Sequence, residues 1–173
     1  MAILLTGGLG YVGSHIAKLL KKNLVIIDNQ SNSQLNFKKY LPESTVYLSD
    51  LNKHTLEKVF TKHKIQGVIH LAGLKSVNES VLNPLQYYEN NIGSSIALLE
   101  VMNKFKVNKF IFSSSATVYG DQNQSPLKEN MTLKPVNPYA STKIIIEQLI
   151  SDYAKKHPSI LRPESSLLQS LRS

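Results

Sequence analysis

Two short stretches of this chain carry residues whose types and spacing could do chemistry. The first holds Gly7, Gly10 and Gly13, and the second holds Tyr139 and Lys143. Glycines at this spacing let a backbone approach a pyrophosphate closely, and a tyrosine beside a lysine can exchange a proton with a hydroxyl group. Together they indicate hydride and proton chemistry at a carbon that bears a hydroxyl, with a dinucleotide as cofactor.

The glycine stretch fits two spacings of the same phosphate-binding turn. Gly8, Gly10 and Gly13 give G-x-G-x-x-G, and Gly7, Gly10 and Gly13 give G-x-x-G-x-x-G. An apolar run at 2–5 precedes the glycines, and a helical pattern comes after them. A helix that begins there points its N-terminal amides and its dipole at a negative charge, so the stretch predicts a pyrophosphate site.

An acidic side chain at the end of the second predicted strand bears on the choice of dinucleotide. Asp28 comes directly after the apolar run 24–27. A carboxylate at that place accepts hydrogen bonds from a free ribose 2′-hydroxyl and repels a 2′-phosphate. The sequence therefore favours NAD over NADP.

The second stretch predicts a base and its supporting cation. Tyr139 and Lys143 are one helical turn apart, so a helix would place them on one face. A tyrosine has a pKa of about 10, but a nearby ammonium and a positive nicotinamide ring stabilise the phenolate. The run Ser113–Ser115 ends the fifth predicted strand, where a hydroxyl could hydrogen-bond the reacting oxygen.

Strands and helices alternate along the chain, which predicts a Rossmann-like α/β fold with a doubly wound parallel sheet. An apolar stripe at helical spacing on 84–105 is interpreted as core first, and a second apolar face on 139–156 could serve a partner helix. The predicted strands are 2–5, 24–27, 45–48, 68–71 and 109–113. The predicted helices are 11–22, 34–40, 56–63, 84–105 and 139–156. The stripe is Leu85, Tyr88, Ile92, Ile96, Leu99 and Met102, and the second face is Ile144, Ile145, Ile146, Leu149 and Ile150.

Composition narrows the class of protein. The chain has 173 residues, 42% of them hydrophobic, and no cysteine, which excludes disulfides and a cysteine nucleophile. We find no membrane span and no secretory signal, so we expect a cytoplasmic protein. The net charge of +8 comes from scattered lysines, which predicts a solvated surface and no nucleic-acid partner. The histidines lack the spacing of metal ligands, and His70 is interpreted as a packed residue.

On the stretches 6–15, 70–80, 87–91, 110–122 and 137–143, the sequence resembles the extended short-chain dehydrogenase/reductase family, and within it the UDP-glucose 4-epimerases. The resemblance implies reversible C4 epimerisation between UDP-glucose and UDP-galactose through a 4-keto intermediate, a step of galactose metabolism. It also implies tightly bound NAD, and a homodimer through the helices at 84–105 and 139–156.

The resemblance also implies roles for individual residues. Ser115, Tyr139 and Lys143 would be catalytic, and Lys143 would hold the nicotinamide ribose. The cofactor-binding residues would be Gly7, Gly10, Tyr11, Val12 and Gly13 at the pyrophosphate, Asp28, Asn29, Gln30, Ser31, Asn32 and Ser33 around the adenosine ribose, Asp50 and Leu51 at the adenine, and Leu71, Ala72, Gly73, Leu74, Lys75, Asn90, Ser115, Tyr139 and Lys143 further along.

The serine-rich loop separates two kinds of relative. The sugar-nucleotide dehydratases of this family carry an acidic pair there, which they need to expel water. Here the corresponding positions are Ala116 and Thr117, which have no carboxyl group. The loop therefore favours an epimerase over a dehydratase.

The match to the family ends near the C-terminus. We expect a dinucleotide-binding domain at 1–158 and an irregular tail at 159–173, where the family continues into a substrate domain that this chain lacks. Pro163 and Glu164 stand where the family has an aromatic segment. Three interpretations stay open. The first is an epimerase, whether of this chain alone or of a longer parent. The second is an inactive NAD-binding remnant of a truncated epimerase, and the third is a non-enzymatic interaction module that joins a full-length partner through its exposed helices. The sugar preference, glucose against N-acetylglucosamine, also stays open.

Overall fold

A computed structural model of the chain describes residues 1–33, 36–123 and 125–156. The start of the predicted helix 34–40 and the predicted tail 159–173 lie outside the described residues. The described strands are β1 Ala2–Thr6, β2 Leu24–Asp28, β3 Thr45–Leu48, β4 Ile65–His70 and β5 Phe110–Phe112. The described helices are α1 Tyr11–Leu20, α2 Phe37–Tyr40, α3 Lys53–Lys62, α4 Val77–Leu82, α5 Pro84–Lys104 and α6 Pro138–Lys156, and a 3₁₀ helix spans Ala116–Tyr119.

The strands form one parallel sheet in the order β3-β2-β1-β4-β5. The register places Leu5 beside Ile26 of β2 and Ile69 of β4. From β1 the chain adds β2 and β3 on one side of the sheet, and then β4 and β5 on the other side. The direction of strand addition therefore reverses between β1 and β4. Open α/β sheets bind ligands beyond the carboxyl ends of the strands at such a reversal. The predicted Rossmann-like parallel fold is confirmed.

The chain divides into two compact units. The sheet unit comprises Met1–Gly73 and Ile96–Ser113, and it holds all five strands described above. The helical unit comprises the described residues of Leu74–Ser95 and Ser114–Ser173, with α4, the start of α5, the 3₁₀ helix and α6.

The core of the sheet unit lies on both faces of the sheet. Leu5 and Ile26 pack with Ala17 of α1 in one buried cluster. Leu4 is fully buried as well, although neighbouring residues of a strand point to opposite faces. A central strand that is buried on both sides explains why β1 appears in the sequence as a continuous apolar run rather than an alternating one.

Two helices begin at polar capping residues that the apolar periodicity of the sequence does not reveal. Helix α3 begins at Lys53, before the predicted start, because the Asn52 side chain accepts a hydrogen bond from the Thr55 amide at 2.9 Å. Helix α4 was not predicted, and Ser76 caps it by accepting from the Glu79 amide at 3.3 Å. The 3₁₀ helix likewise lies in a segment that was predicted as loop.

The apolar stripe on α5 is core along only half of the helix. Leu99 and Met102 are buried, as predicted, but Leu85 is 82% exposed and Ile96 is 42% exposed. In the earlier part of the stripe, the core interpretation is therefore wrong for Leu85 and Ile96, while Tyr88 and Ile92 are half-buried. The buried positions there are largely polar, namely Tyr87, Asn91 and Ser95.

The second apolar face of α6 is smaller than the sequence suggested. Ile146 and Ile150 are buried, so they belong to the packing of this chain. Ile145 is 41% exposed, and Ile144 and Leu149 are half-buried. These last three remain available to a partner.

Among the described helices, none has the length and apolar composition that crossing a bilayer requires. The cytoplasmic location stays a prediction.

Candidate functional site

At two glycines of the turn between β1 and α1, neighbouring backbone lies too close to admit a side chain. Gly7 has φ +70°, and a Cβ there would lie 2.7 Å from the Ala72 backbone nitrogen. A Cβ on Gly13 would lie 2.2 Å from the Gly7 carbonyl oxygen. Both distances are far below van der Waals contact, so these glycines let β1, α1 and the segment after β4 approach one another.

Gly10 differs from the other two because space surrounds it. Its backbone is extended, and an added Cβ would meet only the Gly7 carbonyl oxygen, at 3.5 Å. It forms the N-cap of α1 without a side-chain cap, and Tyr11 and Val12 beyond it are 78% and 56% exposed. The first amides of α1 are accessible because no side chain covers them at Gly10. Such amides can bind a pyrophosphate, so the residues here fit the predicted cofactor.

Backbone amides hold the Asp28 carboxylate at the end of β2. Oδ2 accepts from the Leu9 amide at 2.9 Å, and Oδ1 accepts from the Gln30 amide at 2.7 Å. The Ser33 hydroxyl donates to the Leu9 carbonyl at 2.5 Å, which ties the loop after β2 to the glycine turn. Each carboxylate oxygen keeps a further lone pair, so the group can still accept from two ribose hydroxyls.

The residues predicted for the ribose and the adenine lie together in the sheet unit. Asn29 Nδ2 donates to Asp50 Oδ1 at 2.8 Å, which joins the loop after β2 to the loop after β3. Asn29 Oδ1 accepts from the Ser31 amide at 3.0 Å. Ser31 and Asn32 are exposed, and Leu51 is half-buried.

Thr6 and His70 set the segment after β4. Thr6 Oγ1 lies 2.7 Å from His70 Nδ1 and accepts from the Ala72 amide at 3.3 Å. His70 is 1% exposed, which confirms the interpretation of a packed residue. The predicted cofactor residues Leu71, Ala72 and Gly73 are half-buried beside this pair.

In the helical unit, Asn91 organises the remaining predicted residues. Its side chain accepts from the Leu74 amide at 2.8 Å and donates to the Leu74 carbonyl at 3.0 Å. It also donates to Thr142 Oγ1 at 3.2 Å, which links α5 to α6. Lys75 and Asn90 are exposed, while Asn91 is buried. Asn91 was not predicted from the sequence, although two adjacent asparagines on a helix were a visible signal.

The predicted tyrosine and lysine lie on one face of α6. Lys143 Nζ is 5.8 Å from the centre of the Tyr139 ring. Tyr139 is half-buried, and Lys143 is only 6% exposed.

Burial and a nearby carboxylate act in opposite directions on Lys143. Burial lowers the pKa of Lys143 to about 8, and the charge of Glu147 opposes that shift. Glu147 is one turn further along α6 and is 3% exposed. With this pKa, roughly nine-tenths of the Lys143 side chains carry a proton at pH 7.

Ser115 caps the start of the 3₁₀ helix. Its Oγ accepts from the Thr117 amide at 3.3 Å and lies 2.9 Å from Thr117 Oγ1. Ser114, the residue before it, donates its hydroxyl proton to the Glu147 carboxylate. Glu147 was not singled out from the sequence, although it stands four residues after Lys143.

Comparison with known proteins relates this chain to nucleotide-sugar epimerases. The model of the NAD dependent epimerase/dehydratase family matches residues 3–166. The UDP-glucose 4-epimerase of Bacillus subtilis (strain 168) is 46% identical over 161 residues, which are 88% of this chain and 48% of that protein. The chain thus spans about half the length of the curated relatives it matches, and the predicted resemblance is confirmed.

Two solved structures show the same fold. The UDP-glucose 4-epimerase of Bifidobacterium longum, in complex with NAD+ and UDP, matches with a TM-score of 0.85 and 36% identity over 91% of this chain and 50% of that one. That of Stenotrophomonas maltophila, with NAD and formylated UDP-arabinopyranose, has a TM-score of 0.83 and 37% identity over 90% of this chain and 49% of that one.

Substituting Gly10 separates cofactor binding from folding. We expect Gly10→Ala to keep the free energy of unfolding within about 1 kcal/mol of native, because the methyl group meets no close atom. The same methyl group stands where a pyrophosphate would approach, so NAD affinity falls about tenfold or more. Urea unfolding and calorimetric NAD titration measure the two effects.

The matched variant is Gly13→Ala, whose methyl group would collide with the Gly7 carbonyl. It should lose folding stability as well as NAD binding. Native NAD affinity in Gly10→Ala would show that the turn does not hold the pyrophosphate.

Lys143 predicts a pH dependence of stability. Its folded pKa of about 8 lies below its pKa in the unfolded chain. At pH values between these two pKa values, the unfolded chain therefore binds more protons than the folded one. Above the unfolded pKa, Lys143 is neutral in both states and costs no stability. As the pH falls from there towards 8, the unfolded chain takes up the proton more readily, so the free energy of unfolding decreases. We subtract the free energy of unfolding of Lys143→Met from that of the native chain at each pH. This difference should be about 2 kcal/mol higher at pH 9.5 than at pH 7.5.

Urea unfolding of both proteins at the two pH values tests this expectation, since every other titrating group is common to them. Equal pH dependence in the native chain and in Lys143→Met would contradict the shifted pKa.

Proposed function

The chain belongs to the NAD dependent epimerase/dehydratase family, and from that premise we propose that it epimerises C4 of a UDP-linked hexose, interconverting UDP-glucose and UDP-galactose with bound NAD. The observation that carries the proposal is the Tyr139–Lys143 pair, in which the nitrogen of a buried lysine lies 5.8 Å from the centre of the phenol ring. A tyrosine with such a neighbour suits proton exchange with a sugar hydroxyl.

Residues of the sheet unit would hold the adenosine diphosphate part of NAD. Gly10 and the start of α1 offer an open backbone to the pyrophosphate. Asp28, oriented by the Leu9 and Gln30 amides, would accept hydrogen bonds from the ribose hydroxyls. Its charge would repel a 2′-phosphate, so we propose NAD rather than NADP.

Residues of the helical unit would handle the proton of the sugar 4-hydroxyl. Tyr139 would take this proton and later return it, and Ser115 would hydrogen-bond the same oxygen. Lys143 would bind the nicotinamide ribose through its ammonium and support the phenolate through its charge. NAD, when bound, supplies the acceptor and donor of the C4 hydride. Because the hydride and the proton both return to the sugar, the net redox change is zero.

One observation favours a second candidate function. The chain spans about half the length of its relatives. The matched half holds the residues proposed for NAD, so NAD binding without turnover is the second candidate. The two candidates differ in a single assay.

Tyr139→Phe tests the proposed chemistry. We expect the native chain to interconvert UDP-galactose and UDP-glucose, and the variant to lose turnover at least about a hundredfold, because phenylalanine cannot exchange a proton. A coupled assay for UDP-glucose and an NAD titration should show lost turnover with retained cofactor affinity.

Tyr153→Phe removes a hydroxyl from the same helix and serves as the control, with turnover close to native. Undiminished turnover in Tyr139→Phe would refute the assignment. A folded native chain that binds NAD but shows no turnover would favour the alternative function.

We also propose a homodimer through α5 and α6. The support is apolar surface on both helices, since Leu85 is 82% exposed, and Ile145 is 41% exposed. Isolated apolar side chains are common on surfaces, but two helices of one unit that both expose them suit a self-complementary interface.

Leu85→Lys should weaken the dimer about tenfold or more, because a charge would enter an apolar interface. Sedimentation equilibrium measures the dissociation constant. Leu19→Lys on α1 is the matched control, since Leu19 is 83% exposed and lies outside the proposed interface. A monomeric native chain, or equal weakening by both variants, would contradict the proposal.

A further inference from the structure

Helix α6 buries a carboxylate that the proposed chemistry does not use. Glu147 is 3% exposed, one turn beyond Lys143 and two turns beyond Tyr139 on the same helix. Burying a charge is costly unless other groups compensate it, so the neighbours of this carboxylate indicate what it does.

Two of those neighbours lead to residues of the proposed site. The Ser114 hydroxyl donates to Glu147 Oε1, and Ser114 directly precedes Ser115 at the start of the 3₁₀ helix. The second neighbour is Lys143, which is itself 6% exposed and carries an opposite charge. One carboxylate thus contacts the serine turn and acts electrostatically on the buried lysine.

We propose that Glu147 is a positioning residue that keeps the buried Lys143 ammonium charged and, through Ser114, fixes the turn that presents Ser115. The inference rests on the proposed roles of Lys143 and Ser115. The attraction between opposite charges is strongest where water is excluded, and both groups are buried. The hydrogen bond from Ser114 occupies one of the acceptor sites of the Glu147 carboxylate.

Other titratable groups lie on the elements around Lys143 and Glu147. On α6 itself the phenol of Tyr139 lies beside Lys143. The 3₁₀ helix packs against α6 and carries Tyr119, where burial first, then the charges of Glu129 and Glu147, raise the pKa. Helix α4 also packs against α6, and its Glu79 accepts a hydrogen bond from Tyr87 at 2.8 Å. The charge of Glu147 favours the charged form of Lys143.

The consequence concerns the charge of Lys143 near neutral pH. With Glu147 in place, Lys143 has a pKa of about 8 and is mostly protonated. Without it, the pKa of Lys143 would fall further, and a larger share of the lysine would be neutral at pH 7. A neutral amine would support a phenolate poorly.

The experiment measures the titration of Lys143 directly in the full chain. The Nζ signal of each lysine is followed by ¹⁵N NMR against pH, and Lys143 is identified by the signal that Lys143→Met lacks. In Glu147→Gln, we expect the titration midpoint of Lys143 to move about one pH unit lower. Glu147→Asp retains the charge and should restore most of the native midpoint.

Asp152→Asn is the matched control. It removes one negative charge from an exposed position of the same helix, where Asp152 pairs with Lys155 at 3.2 Å. This variant should leave the Lys143 midpoint within a few tenths of a pH unit. A midpoint that moves equally in Glu147→Gln and Asp152→Asn, or in neither, would overturn the inference.

A measurement on the native chain decides the question if Glu147→Gln does not fold. The ¹³C chemical shift of the Glu147 side-chain carboxyl should change with the same pH midpoint as the Lys143 signal. A carboxyl shift that does not change at that pH would also overturn the inference. NAD affinity of the native chain, measured in parallel, tests the proposed function separately. Lost NAD binding would refute that function, whereas an unmoved Lys143 midpoint refutes the role of Glu147.

Discussion

The close backbone approach at the β1–α1 turn is the constraint on which the sheet unit depends. Gly13 packs against the Gly7 carbonyl, and Gly7 packs against Ala72, at separations that no Cβ would permit. The same turn places the Leu9 amide on the Asp28 carboxylate. The start of α1, the end of β2 and the segment after β4 are therefore set by one piece of backbone.

The helical unit depends on buried polar groups instead. Asn91 joins the Leu74 backbone to Thr142, and Glu147 joins the serine turn to α6. Such groups stabilise a fold less than apolar residues of similar size would, and a buried ammonium such as that of Lys143 reduces stability. Their presence is understandable if the unit has to hold charge and hydrogen-bonding groups in place for chemistry.

Features that local rules specify were predictable from the sequence. The glycine turn, Asp28 and the alternating elements were identifiable because strict spacing and long apolar runs mark them. Periodicity failed on α5, where Tyr87, Asn91 and Ser95 take the buried face and Leu85 remains exposed. It also missed Glu147, because a glutamate on a helix is normally a surface residue and its burial results from packing between elements distant in sequence. The roles of the individual site residues stay predictions.

Calorimetric titration of the purified 173-residue chain with NAD, and then with NADP, tests the central claim most directly. One NAD per chain is expected, with NADP weaker by about tenfold or more, because the Asp28 carboxylate faces the ribose in the proposed complex. A folded chain that takes up no NAD, or that binds both dinucleotides equally, would contradict the claim that the glycine turn and Asp28 form a dinucleotide site.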